Sequence, residues 1–352
     1  MANTEITYAE ALESLLAGAD SLFVVGTVAA LKSVELPEPL GEAAGVLSAD
    51  LSGSAFKPSP ASTAIIGSSG SIKKLVLVPL ADSVSRYVSP AQSYATTDGL
   101  DAAGLAGASG TAAILLLVEK EEYAPAAALG MARALPAYSR KTTQSGPTLA
   151  KALVMGADPG ASFMELGQEM ASALRRAQAL ADAPAEEVNT SQVESAAIAA
   201  VGEVPGVTIT SIVGEELLDA GLNAIYTVGR AGVDPPRMVV LEYTPSNPVG
   251  PPLGLVGKGI VFDSGGLNLK TSPSYMKGDM GGAAAVLGAF EAIVKSAEAT
   301  GFSSHLYAVR RKLSFNQSKC FRRHVFPMII SIKNRTATDL PRQARDSLQR
   351  HY

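Results

Sequence analysis

The chain reads GKGIVFDSGGLNLK at residues 257–270 and MKGDMGG at residues 276–282. The apolar residues that lead into the first stretch, Leu253 to Phe262, predict a buried strand. Charged groups in such a place are unfavourable unless they are paired or bind a metal ion. The two stretches therefore indicate either a metal and acid–base site or an unusually costly part of the core.

Two aspartates of these stretches are candidate metal ligands. Asp263 is predicted to end the strand, in front of a Ser-Gly-Gly turn, and the carboxyl ends of strands in open α/β sheets are where ligands bind. Asp279 stands directly before a helix predicted for residues 281–297. If the two carboxylates converge, they can bind divalent cations between them.

Two lysines of the same stretches are the other candidates. Lys258 lies five residues before Asp263, which predicts opposite faces of the strand unless the strand twists or bulges. It can bind a metal ion only as a neutral amine, a form that an adjacent dication favours. Lys270 can stay charged and polarise a substrate carbonyl.

The composition bounds the class of protein. A chain of 352 residues with 47% hydrophobic and 18% charged residues is long enough for two globular domains. The first fifteen residues lack the basic start of a signal peptide, and the apolar run Ala112 to Val118 is far shorter than the ~20 residues of a membrane helix. The single Cys320 excludes a disulfide framework. We expect a cytoplasmic protein with no membrane segment.

The end of the chain differs in composition from the rest. Residues 310–352 contain 11 Lys and Arg, 2 Asp and Glu, and no glycine, whereas the whole chain has a net charge of −4. This predicts an unrelated basic tail after Val309. Its basic runs could bind nucleic acid, but the lack of glycine and of helical periodicity favours a non-native segment. The apolar run Val325 to Ile332 is expected to lie outside any sheet.

Strand and helix patterns alternate along the remainder, so the expected fold class is α/β. We predict an N-terminal α/β domain at residues 1–150. A second α/β domain follows at residues 151–309, with a mostly parallel sheet that is incomplete on its C-terminal side.

The motifs resemble those of the cytosol (leucyl) aminopeptidase family, whose members are two-metal exopeptidases. The resemblance is strongest over residues 250–290, fair over residues 165–309 and weak before that. Outside the two stretches it is carried by the segments Arg176 to Val188, Gly221 to Tyr243 and Ser304 to Val309.

The resemblance implies roles for individual residues. Lys258, Asp263 and Asp279 match metal ligands, and Lys270 matches the catalytic lysine. Two divalent metal ions (zinc, manganese or magnesium) would activate a water molecule that attacks the scissile carbonyl of a peptide substrate. The family also implies a homohexamer.

The chain departs from the family pattern in three places. The spacing from Asp263 to Asp279 is about two residues short, and residues 182–186 read DAPAE without the usual asparagines. The later family motif NTDAEGR, which supplies further metal ligands, is absent, and residues 334–339 (NRTATD) are a faint echo of it. We therefore expect a frameshifted, mis-spliced or wrongly assembled C-terminal part and weak or no activity. The alternative is a non-catalytic subunit or pseudoenzyme.

Two other interpretations fail on residue order. The DSGG turn is similar to that of trypsin-like serine proteases, but such an enzyme needs a histidine upstream, and His305, His324 and His351 all lie downstream. The glycines around Lys258 do not have the GxxxxGK[ST] spacing of a phosphate-binding loop.

Overall fold

The chain divides between Arg175 and Arg176 into two units. The structure is a computed structural model and describes residues 4–49, 51, 61–65, 72–140, 146–156, 161–245, 253–264, 273–300 and 327–332. Both units combine helices with a sheet, which confirms the α/β class. Within the described residues, no helix has the length and apolar character needed to cross a membrane.

The described strands of the first unit are β1 (Glu5–Tyr8), β2 (Ser21–Thr27), β3 (Ser62–Ile65), β4 (Lys74–Leu80), β5 (Thr111–Val118) and β6 (Leu149–Gly156). Its described helices are α1 (Leu12–Leu16), α2 (Val28–Ser33), α3 (Leu40–Ala49), α4 (Ser93–Ala102), α5 (Ala124–Ala134) and the first part of α6 (Ala161–Asp182). Most of these elements follow the predicted pattern.

The six strands form one sheet in the order β1-β6-β5-β2-β4-β3. The pairs from β1 to β4 are parallel, and only the edge strand β3 is antiparallel to its neighbour. The predicted domain boundary at residue 150 falls inside β6, which lies between β1 and β5. The strand was missed because its alternating apolar residues follow a segment rich in loop-forming residues.

Each face of this sheet has its own core. On β2, Phe23 and Val25 pack on one side with residues of α4, α5 and α6, whereas Leu22 and Val24 pack on the other with residues of α1, α2 and α3. A mostly parallel sheet covered on both faces explains why β2, β4 and β5 are almost continuously apolar.

Helices α4 and α5 approach each other at a glycine. A Cβ atom at Gly130 would lie 2.5 Å from the carbonyl oxygen of Ser93 and 2.8 Å from the Cβ atom of Thr96. The hydroxyl of Thr97 donates to the carbonyl of Gly130 at 2.8 Å. Position 130 therefore requires glycine because a larger side chain would overlap α4, and not because of its backbone conformation.

We predict opposite effects for two glycine substitutions in helices. Gly130→Ala should lower the free energy of unfolding by about 1–3 kcal/mol, because the added methyl group overlaps α4. Gly45→Ala in α3, where a Cβ atom meets nothing within 4 Å, should raise it by about 0.5–1 kcal/mol through helix propensity. Urea denaturation followed by circular dichroism measures both, and equal effects would contradict this packing.

Tyr8 and Arg175 are partly buried polar residues of the first unit that interact electrostatically. The Arg175 guanidinium donates to carbonyl oxygens of Thr4 at 2.8 Å and of Leu135 and Pro136 at 3.1 Å each. The Tyr8 hydroxyl is buried and has no hydrogen-bond partner among the described residues. Burial raises the pKa of Tyr8 from 10.0 to about 12, against a smaller opposite effect of Arg175.

This region predicts how stability depends on pH. The pKa of Tyr8 is higher in the folded than in the unfolded state. Ionisation of Tyr8 therefore leaves the free energy of unfolding unchanged below pH 10 and lowers it as the pH rises toward 12. In Tyr8→Phe, the decrease in the free energy of unfolding at alkaline pH should be smaller by roughly 2 kcal/mol. At neutral pH the free energy of unfolding should rise by about 1 kcal/mol, because the unpaired buried hydroxyl is gone. Tyr94→Phe, at a half-exposed position, is the matched control. Identical pH profiles of wild type and Tyr8→Phe would refute the assignment.

The described strands of the second unit are β7 (Val207–Val213), β8 (Arg237–Tyr243), β9 (Leu253–Lys258) and β10 (Pro327–Ile332). Its helices among the described residues are the end of α6, α7 (Thr190–Val201), α8 (Glu216–Asp219), α9 (Asn223–Gly229) and α10 (Gly281–Thr300). Helices α8 and α9 are separate, because Gly221 adopts a left-handed backbone between them.

The second sheet has the order β7-β8-β10-β9 and is mixed. β7 and β8 are antiparallel, β8 and β10 are parallel, and β10 and β9 are antiparallel. The prediction of a mostly parallel sheet in this unit is therefore wrong for its described strands. The connection from β8 to β9 spans residues 244–252, which is shorter than the dozen or more residues of a parallel crossover.

Strand β10 contradicts the expectation that the apolar run near residue 330 lies outside a sheet. Residues 327–332 pair with β8 on one side and β9 on the other. A run rich in isoleucine has the propensity to fill an open position between two strands. The other residues of the basic tail lie outside the described residues, as does the segment Ser304 to Val309 that carries part of the family resemblance.

Candidate functional site

Strand β9 ends at Lys258, five residues earlier than predicted. A Cβ atom at Gly257 would lie 2.4 Å from the carbonyl oxygen of Gly282 and 2.7 Å from the Cα atom of Ala283. The backbone of β9 therefore touches the first turn of α10 directly. Asp263 lies in the irregular segment after the strand, so the prediction that it ends the strand is wrong.

Asp279 is held by a 3-10 helix, Pro273–Met280, that leads directly into α10. Met276 and Met280 of this segment are buried. The Lys277 ammonium donates to the carbonyl oxygen of Asp182 at 2.6 Å, where the end of α6 carries partial negative charge. These contacts fix the segment on both sides of Asp279.

The two elements bring Lys258 and Asp279 together. The Lys258 Nζ atom donates to Asp279 Oδ1 at 2.7 Å, and the two side chains are 42% and 41% exposed. An ion pair this exposed contributes at most about 1 kcal/mol to stability. The structure thus places these two residues side by side, and the small gain in stability does not explain their arrangement.

Asp263 occupies a different part of the site. Its exposed side chain lines an open cavity of about 150 Å³ together with residues that include Thr190, Asp234, Ile260 and Phe262. Among the described residues, no hydrogen bond or ion pair connects Asp263 with Lys258 or Asp279. Lys270 lies outside the described residues, as do residues 265–272, so its predicted role stays a prediction.

The donor chemistry of the pair fits part of a metal site. One carboxylate and one amine, both accessible to solvent, can contribute two of the about four to six ligands that a divalent cation takes. In the part of the chain that the structure describes, no group of three His, Cys, Asp or Glu side chains is placed to hold a metal ion. The pair is therefore a partial ligand set and not a complete cage.

Sequence reasoning missed a buried ion triad that supports α10. Glu291 is 1% exposed and accepts from Arg176 Nε at 2.8 Å and from Lys295 Nζ at 2.8 Å. The triad connects α10 to α6 in the same unit. Its signal was visible in the sequence, since Glu291 is a lone carboxylate in the otherwise apolar run 281–294, and such a charge needs partners when buried.

Residues 175–313 match the sequence model of the cytosol aminopeptidase family, catalytic domain. This segment of the chain is therefore similar to the catalytic domain of that family. All four predicted site residues, and the Arg176–Glu291 ion pair, lie inside it. The match runs slightly past Val309, where the composition changes.

Individual relatives extend the similarity. The probable aminopeptidase NPEPL1 of Mus musculus is 35% identical over 210 residues, which are 57% of this chain and 39% of that protein. Leucine aminopeptidase 1 of Caenorhabditis elegans is 43% identical over 142 residues, or 40% of this chain and 28% of that protein. The chain thus spans well under half the length of these curated relatives.

The fold comparison includes the first unit. The structure of Caenorhabditis elegans leucine aminopeptidase superposes with a TM-score of 0.67 at 24% identity, covering 94% of this chain and 62% of that one. The likeness confirms the fold over nearly the whole chain, including the N-terminal part where the sequence resemblance was weak.

The ion triad generates a prediction about α10. Glu291→Gln should lower the free energy of unfolding by about 2–3 kcal/mol, because two cations lose a buried partner. Glu165→Gln, at an exposed position of α6, should change it by less than about 0.5 kcal/mol. Chemical denaturation of both variants tests this, and equal small effects would show that the triad is not a structural link.

Proposed function

We propose that the parent activity of this chain is metal-dependent removal of amino-terminal residues from peptides. The observation that carries the proposal is the 2.7 Å contact of Lys258 with Asp279, two residues that the family resemblance gives as metal ligands, inside a segment that matches the family's catalytic domain. The names of the relatives, which are aminopeptidases, support it.

The residues of the chain would act in three ways. Lys258 as neutral amine, with the carboxylates of Asp263 and Asp279, would hold divalent cations, for which zinc, manganese and magnesium are the candidates. Lys270 would donate a hydrogen bond to the scissile carbonyl oxygen. The bound cations would supply Lewis-acid polarisation of that carbonyl and an activated water molecule.

The irregular segment after β9 suits this role. It places Asp263 at the edge of the 150 Å³ cavity and leaves Lys258 and Asp279 half-exposed. Ligands therefore reach both parts of the site from solvent. We propose peptides with a free amino terminus as substrates, and a cytosolic homohexamer, as in the family, as the assembly.

The turnover of this chain itself is expected to be weak. The family's NTDAEGR motif does not occur in residues 1–352, so the ligands and the arginine that this motif supplies in the family are missing from this sequence. Lys258, Asp263 and Asp279 alone give an incomplete coordination shell. Metal binding is consequently a more sensitive measure of the site than catalysis.

We predict that Asp279→Asn and Lys258→Met each weaken Mn²⁺ or Zn²⁺ binding at least about tenfold, because each removes a ligand. Isothermal titration of the whole chain measures the affinity, and leucine p-nitroanilide with added Mn²⁺ measures turnover. Glu122→Gln, which breaks the exposed Lys120–Glu122 pair, is the matched control and should change neither.

The outcomes separate the two candidate functions. Metal binding that both variants abolish, with any turnover lost in parallel, supports an aminopeptidase site. Metal binding without turnover supports the alternative of a non-catalytic relative. Affinities unchanged in both variants would sink the assignment of the pair as metal ligands.

A further inference from the structure

A second open pocket lies in the first unit, far along the sequence from the residues discussed above. It has a volume of about 70 Å³ and is lined by the ends of β2, β4 and β5, among them Val25, Leu80 and Leu116. These are the carboxyl ends of parallel strands. The place where ligands enter open α/β sheets is at such ends.

The topology singles out this position further. From β2 the chain continues through α2, α3 and the edge strand β3 to β4, on one side of β2 in the sheet order. From β5 it continues through α5 to β6, on the other side. The helices after β2 and after β5 pack on opposite faces. The crevice between neighbouring strands β2 and β5 is therefore the switch point of the sheet, and the pocket sits there.

The wall of the pocket is preformed. Gln92 is 4% exposed and has a left-handed backbone with φ of 47°, a conformation that is unfavourable for a residue other than glycine. Its side-chain amide donates to the carbonyl of Ala81 at 2.8 Å and accepts from the amide of Ala81 at 3.2 Å. These bonds fasten the β4–α4 connection to the end of β4, so a ligand would not have to order it.

The chemistry of the lining differs between floor and rim. The floor consists of buried apolar side chains and the buried hydroxyl group of Thr96. The rim carries the exposed carboxylates of Asp82 and Glu119. Asp82 already accepts a hydrogen bond from the amide of Ala29 at 2.9 Å, which leaves Glu119 as the carboxylate available to a ligand. No lysine or arginine is among the described residues that line the pocket.

We propose that this pocket binds a small organic cation, a primary ammonium group on a short apolar stem. The stem fits the apolar floor and the ammonium group meets the Glu119 carboxylate at the rim. Anions are disfavoured, because the two carboxylates repel them. The nearby helix α2 offers no place for them either, since Asp82 and Thr27 already accept from its first amides.

The test uses the whole chain and three probes of equal stem, n-pentylammonium, pentan-1-ol and hexanoate. Ligand-observed NMR titration gives the dissociation constants, which we expect in the millimolar range. The ammonium probe should bind roughly three- to tenfold more tightly than the alcohol, as expected for exposed charge pairs, and hexanoate should bind more weakly than both.

Two variants locate the effect. Glu119→Gln should reduce the affinity for pentylammonium to about that of pentanol and leave the affinity for pentanol unchanged. Glu10→Gln removes an exposed carboxylate elsewhere in the first unit and should change nothing. Because Glu119 is exposed, its variants are expected to fold, and thermal unfolding checks this.

Four results would overturn the proposal. The first is no detectable binding of pentylammonium at a concentration of about 10 mM or more. The second is equal affinity for pentylammonium and hexanoate. The third is an affinity of Glu119→Gln for pentylammonium equal to that of the wild type. Binding of the alcohol alone would show an apolar pocket without a preference for cations, which also contradicts the proposal.

Discussion

The backbone contact between β9 and the first turn of α10 is the constraint on which the candidate site depends. At Gly257 even one methyl group would overlap the carbonyl of Gly282, at 2.4 Å. Because the two backbones touch, Lys258, the residue after Gly257, and Asp279, two residues before α10, are brought within hydrogen-bond distance. Gly257 and Gly282 thus let the two elements approach closely enough for Lys258 to meet Asp279.

Much of this arrangement could be predicted from the sequence. The Gly/Ala-rich start of α10, the strand before Lys258 and the candidate pair all follow from local patterns. The position of Asp263 could not be predicted, because the alternation of apolar residues continues to Phe262 although the strand ends at Lys258. The strand ends where its pairing with β10 ends, since Lys258 lies opposite Pro327, the first residue of β10. This is a tertiary effect with no local signal.

Local sequence patterns failed to predict the elements whose structure depends on partners far along the chain. β6 is recognised as a strand only through its pairing with β1 and β5, and β10 only through its place between β8 and β9. The triad of Glu291 with Arg176 and Lys295 is similar, since its acidic residue is visible in the sequence and its partner on α6 is not. The pocket at the switch point of the first sheet likewise requires the strand order, which no single segment reveals.

The most direct test of this account is the Mn²⁺ affinity of two alanine variants of β9. Gly257→Ala places a methyl group against Gly282, whereas a Cβ atom at Gly254 meets nothing within 4 Å. If the close approach sets the site, Gly257→Ala should weaken Mn²⁺ binding by roughly tenfold or more, about 1.4 kcal/mol, and Gly254→Ala should leave it unchanged. Equal affinities in the two variants would contradict the claim that the glycine contact brings Lys258 and Asp279 together for metal binding.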